Sequence, residues 1–180
     1  MDKALNYLAL ARKGGMAELG EEPVGGAARA GKAYAILVAS DASDHTWRRA
    51  KSFAAGTEQQ CVRLPYNKDQ MGEAIGRDAL AMAAITDVSL ALALVKALPE
   101  PEKYKEALEI LSQKSQKAKK RQAEAKAVAA AVKARARAGV PYNKMAVICR
   151  TVDQYLLQIR YEFRLQNIPL FCDEPTTPEN

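Results

Sequence analysis

The residues best placed to do chemistry are Ser40, Asp41, Ser43, His45, Arg48 and Arg49, which follow directly on an apolar run over residues 34–39. Hydroxyls and a carboxylate at such a junction can cap a following helix, and Ser43 is the expected N-cap. The same junction can hold an anion, because backbone amides open at a helix start and both arginines lie one turn further along. A capped turn and an anion seat are both compatible with these residues. His45, in the first turn after Ser43, reads as a polar helix residue and not as a ligand.

Little else points to catalysis. Glu21 and Glu22 are paired carboxylates, but no nucleophile with a base accompanies them, and the chain has 1 histidine. Their place at an expected helix start, where the backbone dipole favours negative charge, accounts for them. Neither GxGxxG nor GxxxxGK[ST] occurs, and the pair Gly25 and Gly26 makes no phosphate-binding fingerprint. Cys61, Cys149 and Cys172 lie far apart without a CxxC pair, which predicts neither a metal site nor a disulfide framework and suits a reducing cytoplasm. The expectation is a protein that is not an enzyme, with no cofactor and no small-molecule substrate.

These residues need elements to position them. The opening MDKALNYLALARKGG lacks the apolar core and cleavage site of a signal peptide, so a cytoplasmic location is expected. Residues 2–13 form a predicted helix closed by Gly14 and Gly15, and a short extended piece covers 16–19. Pro23 suits the first turn of a helix running to Ala30, with Gly31 as its stop. Strands are then expected at 34–39, 61–64 and 80–85, and helices at 43–55, 68–75 and 88–98, the last behind an Asp87 cap. The most apolar stretch, residues 79–98, carries Thr86, Asp87 and Ser89 at its middle, which argues against a membrane span. Four strands interleaved with helices imply an α/β fold, a three-layer α/β/α sandwich around a four-stranded mixed sheet.

Charge divides the chain further. Residues 1–98 carry 12 Lys+Arg against 11 Asp+Glu, residues 99–139 carry 11 against 5, and residues 140–180 carry 4 against 5. The excess behind the net charge of +6 is therefore central, and boundaries are expected near Pro99 and Gly139.

The succession NYLALARKGG, ELGEEPVGGAARAGKA, AILVASDASDHT and MGEAIGRDALAMAAITD resembles, in order and spacing, the bacterial branch of the kink-turn RNA-binding ribosomal-protein superfamily, the group of L-seven-Ae and L-thirty-e. The resemblance spans residues 4–98. It implies an α/β/α sandwich, as the elements do independently, and binding of a sharply bent RNA in or near the ribosome, with RNA and the ribosome as partners. It also implies that RNA is read by residues 20–29, by the junction at 40–43 and by the loop at 76–81. Gly20, Glu21, Glu22, Arg29, Lys32, Ser40, Asp41 and Arg77 are the candidate contacts.

The chain departs from the pattern of the first of these loops, which is Gly, any residue, Asn, Glu, two residues, Lys. Glu22 stands at the asparagine position, Pro23 at the glutamate position and Gly26 at the lysine position. Ionised Glu22 only accepts hydrogen bonds and repels phosphate. Arg29, three residues beyond Gly26 on the same helical face, is the expected substitute for the missing lysine. Unchanged RNA affinity and salt slope in Arg29→Gln would refute that role.

Residues 100–138 read as one low-complexity helix. Tyr104, Leu108 and Leu111 form a short apolar stripe for docking on the globular part, and beyond Ser112 the stripe fades to alanines with Val128 and Val132. From Lys114 to Arg137 there are 9 Lys+Arg and one acid, Glu124. The segment is either a solvated tail or a basic arm, led by Lys119, Lys120 and Arg121, that lies along phosphates without choosing sequence. A membrane-surface role is disfavoured because no large apolar face opposes the charge.

Residues 140–180 are expected to form a βαβ fragment, with strands at 145–149 and 168–171 flanking a helix over 151–166 that ends at Asn167. The phrase GVPYNKMAVICRTVDQYLLQIRYEFRLQNIPLFCDE resembles part of the helicase-like AddB-type subunits of bacterial ATP-dependent nucleases. In those relatives the position of Arg150 helps with nucleotide, but the other helicase and nuclease motifs are missing here. Two strands and a helix cannot bury their apolar faces alone. They are expected to pack on residues 1–98, to remain exposed, or to mark a composite reading frame joined in the Ala/Lys-rich tract. The leading expectation is a non-catalytic RNA-binding protein. The alternatives are an accessory of a DNA helicase or nuclease, and a protein-interaction module.

Overall fold

The computed structural model describes residues 2–149 and 152–171, so Arg150, Thr151 and Cys172 lie outside the described residues. The chain divides into two compact units, Met1–Gln116 and Lys117–Asn180, where charge alone marked three regions.

In the first unit, four strands alternate with five helices: α1 Lys3–Lys13, β1 Ala17–Leu19, α2 Glu21–Arg29, β2 Ala35–Val38, α3 Asp44–Ala54, β3 Gln60–Arg63, α4 Lys68–Ala74, β4 Met82–Ile85 and α5 Val88–Lys96. The sheet order is β1-β4-β2-β3, with β2 and β3 parallel and β4 antiparallel to both of its neighbours. Helices α1, α4 and α5 pack together, and α2 packs on α3, so the sheet is covered on both faces. That coverage explains why β2 and β4 are buried at every position and read as unbroken apolar runs.

Local chemistry sets the boundaries. Ser43 Oγ accepts from Thr46 N–H at 3.1 Å, and Asp87 Oδ1 accepts from Leu90 N–H at 2.8 Å, so both expected caps form. Asn67 and Gln70 make a capping box that starts α4. Helix α2 begins two residues before Pro23, which still sits in the first turn, where its missing N–H costs nothing.

A short 3-10 turn, Pro101–Tyr104, leads into α6, Lys105–Arg137, which contributes to both units. Its first turns bury Ala107, Leu111 and Ser115, with Tyr104 and Leu108 half-buried. Tyr104 Oη donates to Arg63 O at 3.2 Å, and Lys114 Nζ reaches Glu58 O at 3.2 Å.

In the second unit, α6 does not fade into an exposed rod. Ala125 and Ala129 are buried with Ile159, Phe163 and Ile168, and Val128 and Val132 pack against that core. Ile159 and Phe163 come from α7, Val152–Leu165. Tyr155 Oη donates to Glu124 Oε2 at 2.7 Å, while Lys133 Nζ donates to Gln166 O, so the two helices run side by side in the same direction.

That arrangement corrects the βαβ expectation. Neither 145–149 nor 168–171 forms a strand. Between Gly139 and Cys149 the chain runs through a 3-10 turn, Tyr142–Lys144, and then without regular structure, and it pairs with no strand. Tyr142, Cys149 and Leu170 lie against the core, and Pro169 lacks the N–H that a ladder would need. The helix itself ends as expected, with Asn167 at a φ of 51°.

Candidate nucleic-acid interface

Backbone hydrogen bonds gather three loops at one edge of the sheet. Gly20 N–H donates to Met82 O at 2.9 Å, and Ala39 N–H donates to Ala81 O at 3.0 Å. Because β4 runs antiparallel to β1 and β2, the ends of those two strands meet the start of β4. Ser40 N–H also donates to Tyr66 O at 2.8 Å, which ties in the segment between β3 and α4.

Gly20, Glu21, Glu22, Ser40, Asp41 and the last residues of the 76–81 loop therefore share an edge, whereas Arg77 N–H donates to Gly72 O past the C-terminal end of α4, the helix whose first residue, Lys68, is tied to Asp41. Gly20 has a φ of 94°, in the region that favours glycine, and gives α2 no capping side chain. The first amides of α2 thus keep their free directions. Gly72 matters for the third loop: a Cβ there would stand 2.6 Å from Ala79 Cα, so only a hydrogen lets the loop lie this close to α4.

The charges of the edge are partly spent on each other. Arg49 Nε pairs with Glu21 Oε1 at 3.0 Å. Asp41 Oδ1 accepts from Lys68 N–H at 2.9 Å, and Lys68 Nζ lies 3.8 Å from Asp41 Oδ2, so this carboxylate holds the start of α4. Thr46 N–H is satisfied by Ser43. The junction is thus a capped turn with one arginine engaged by a carboxylate. Exposed Ser40 and the uncapped amides of α2 are the donors left open at this edge, and Arg77 is exposed beyond the end of α4.

Two candidates of the first unit, Arg29 and Lys32, fall elsewhere. Arg29 sits in the last turn of α2, about 12 Å of helix rise from Glu21. Lys32 N–H donates to Ala27 O beyond that helix, and the chain then enters β2 from the opposite end of the sheet. Lys119, Lys120 and Arg121 lie on α6 within the second unit, the first two exposed and the third half-buried. His45 is exposed in the first turn of α3.

Sequence reading missed the surroundings of Trp47 on α3. Lys51 Nζ lies 5.0 Å from the Trp47 ring centroid, and the Arg63 guanidinium carbon lies 5.3 Å from it. The spacing of Trp47 and Lys51 was a visible signal, whereas Arg63 arrives only through the pairing of β3 with β2. Nearby, burial pushes the Cys61 thiol up to about 11, with the Lys51 charge opposing part of that rise.

Among the described residues no group of three or more His, Cys, Asp and Glu could hold a metal ion, and no helix is long and apolar enough to cross a membrane. Residues 79–98 are divided between β4 and α5.

No protein-family model and no curated protein matches the chain. Among solved structures it is similar to a protein of unknown function from Bacillus halodurans, with a TM-score of 0.50 and 27% identity, over 54% of this chain and 97% of that one. The likeness supports the fold of one part of the chain and carries no activity with it.

Proposed function

We propose that this is a non-catalytic, cytoplasmic RNA-binding protein of the kink-turn ribosomal-protein type, which recognises a bent RNA, ribosomal or otherwise structured, through the loop edge of its sandwich. The observation that supports it is the convergence of residues 20–22, 40–43 and 76–81, fixed by the bonds from Gly20 to Met82 and from Ala39 to Ala81. Loops that lie far apart in sequence then present backbone donors and Ser40 together, which suits a folded RNA better than a straight duplex. The exposed Lys119 and Lys120 on α6 add affinity for phosphates without sequence choice.

Glu22 is the residue that opposes this role. Glu22→Gln removes a negative charge facing the RNA and is expected to raise affinity severalfold. The decisive comparison is a gel shift with a kink-turn RNA, the same RNA with its bend disrupted, and duplex DNA. Preference for the bent RNA supports the reading, whereas equal and steeply salt-dependent binding to all three contradicts it and leaves the basic helix as the binder.

A second reading concerns residues 117–171 alone. Leu157, Tyr161 and Leu165 recur at every fourth position of α7 and are exposed by 73%, 56% and 61%. Such a stripe favours a protein-docking role for that unit. Replacing all three by serine and finding no change in association by sedimentation would exclude it.

A further inference from the structure

Trp47, the one tryptophan of the chain, is half-buried on α3, one turn beyond the Ser43 cap. Two cations converge on its ring from different elements, Lys51 from the next turn of α3 and Arg63 from the end of β3. Arg63 Nη2 also donates to Ala42 O at 3.1 Å, which fixes the cluster to the 40–43 junction at the loop edge.

Charge balance separates this cluster from its neighbours. Arg49 and Lys68 are paired with Glu21 and Asp41. Among the described residues, neither Lys51 nor Arg63 has a carboxylate at ion-pair distance, and both are exposed. Two like charges held near one ring repel each other, and the ring's negative face offsets only part of that. A phosphate would neutralise both.

An aromatic platform flanked by Lys and Arg is the arrangement that holds single-stranded nucleic acid, because every base has a face to stack and every nucleotide has a phosphate to neutralise. We propose that Trp47, Lys51 and Arg63 form a docking site for a single-stranded stretch of RNA, with one base stacked on the indole and the flanking phosphates held by the two cations. This rests on the RNA-binding reading above and extends it from the three loops onto α3. Arg63 is anchored by Ala42 O, so Lys51, on its flexible stem, is the side chain that yields the ring face to the base.

The sole tryptophan makes the site its own reporter. The full chain is titrated with a uridine octamer and with an abasic ribose-phosphate octamer of equal charge, following indole emission. The uridine octamer is expected to quench Trp47 and to bind about tenfold more tightly than the abasic one, a preference that Trp47→Leu abolishes. Lys51→Gln, at an exposed position with no structural bond to lose, is expected to weaken both octamers alike, and Arg63→Gln, which also gives up the bond to Ala42 O, to do the same. Equal binding of the two octamers, or a preference that survives in Trp47→Leu, overturns the site. Tight binding of the bent RNA by the unmodified chain and equally by Trp47→Leu, without quenching, overturns the site and leaves the loop-edge reading standing. Quenching by the uridine octamer without preference for bent RNA over its unbent control overturns the loop-edge reading and supports the site. Failure of both RNAs to bind overturns both.

Discussion

The sandwich closes its core on large side chains, with Leu8, Ile36, Leu37, Met82, Ile85 and Leu94 fully buried, whereas residues 117–171 close theirs on Ala125 and Ala129 against Ile159, Phe163 and Ile168. The surfaces differ in the same sense. In the second unit Ile148 and Phe171 are 94% and 96% exposed, and the exposed stripe of α7 has no counterpart in the first. A four-stranded sheet covered on both faces satisfies its apolar residues internally and leaves its loops free to specialise. Two parallel helices with a returning strap satisfy only one side of α7. Recognition by geometry is therefore proposed for the first unit, while charge with unspent apolar surface marks the second.

The strongest way to break this contrast is to empty each core. Leu37→Ala in β2 is expected to cost about 2–5 kcal/mol and to lower the denaturant midpoint of the sandwich. Phe163→Ala should remove hydrogen-exchange protection from residues 152–165 while leaving that midpoint unchanged. A common loss of stability in both variants would show that the units unfold together. Next comes Gly72→Ala, whose new Cβ meets the Ala79 backbone. It should cost about 1–3 kcal/mol and displace the 76–81 loop, weakening bent-RNA binding more than duplex binding.

Alkaline pH sharpens the comparison from another side. The Cys61 thiol is raised from 9.0 to about 11 by burial, so its contribution is complete below pH 9 and is lost as pH rises toward 11. About 1–2 kcal/mol of sandwich stability should fade across that window after allowance for partial exposure, and Cys61→Val should flatten the profile. Ser43→Ala should cost about 1 kcal/mol through the lost cap of α3. The smallest effect is expected at the exposed pair of Arg49 and Glu21, where a double-mutant cycle should return less than about 1 kcal/mol.

The elements of the sandwich were legible because each boundary carries local chemistry. Ser43 and Asp87 cap as their side chains require, Gly15 and Gly31 take positive φ after α1 and α2, and Asn167 does so after α7. The second unit was misread for two reasons. Ala125, Val128, Ala129 and Val132 recur at helical spacing, yet alanine resembles a surface helix former as much as a core residue. Residues 145–149 and 168–171 are short apolar runs, and a short run looks the same as a strand or as a packed extended segment. At the candidate site, the meeting of the ends of β1 and β2 with the start of β4 follows from strand order, which spacing alone does not give. The pairing of Glu21 with Arg49 and the approach of Arg63 to Trp47 join residues distant in sequence and left no local trace.

Hydrogen-exchange footprinting of the full chain with and without a kink-turn RNA tests the central claim most directly, since it reports where the RNA sits as well as whether it binds. Protection gained at residues 20–22, 40–43 and 76–81 is the predicted result. Protection confined to residues 117–137, with those three loops exchanging as in the free protein, would contradict it.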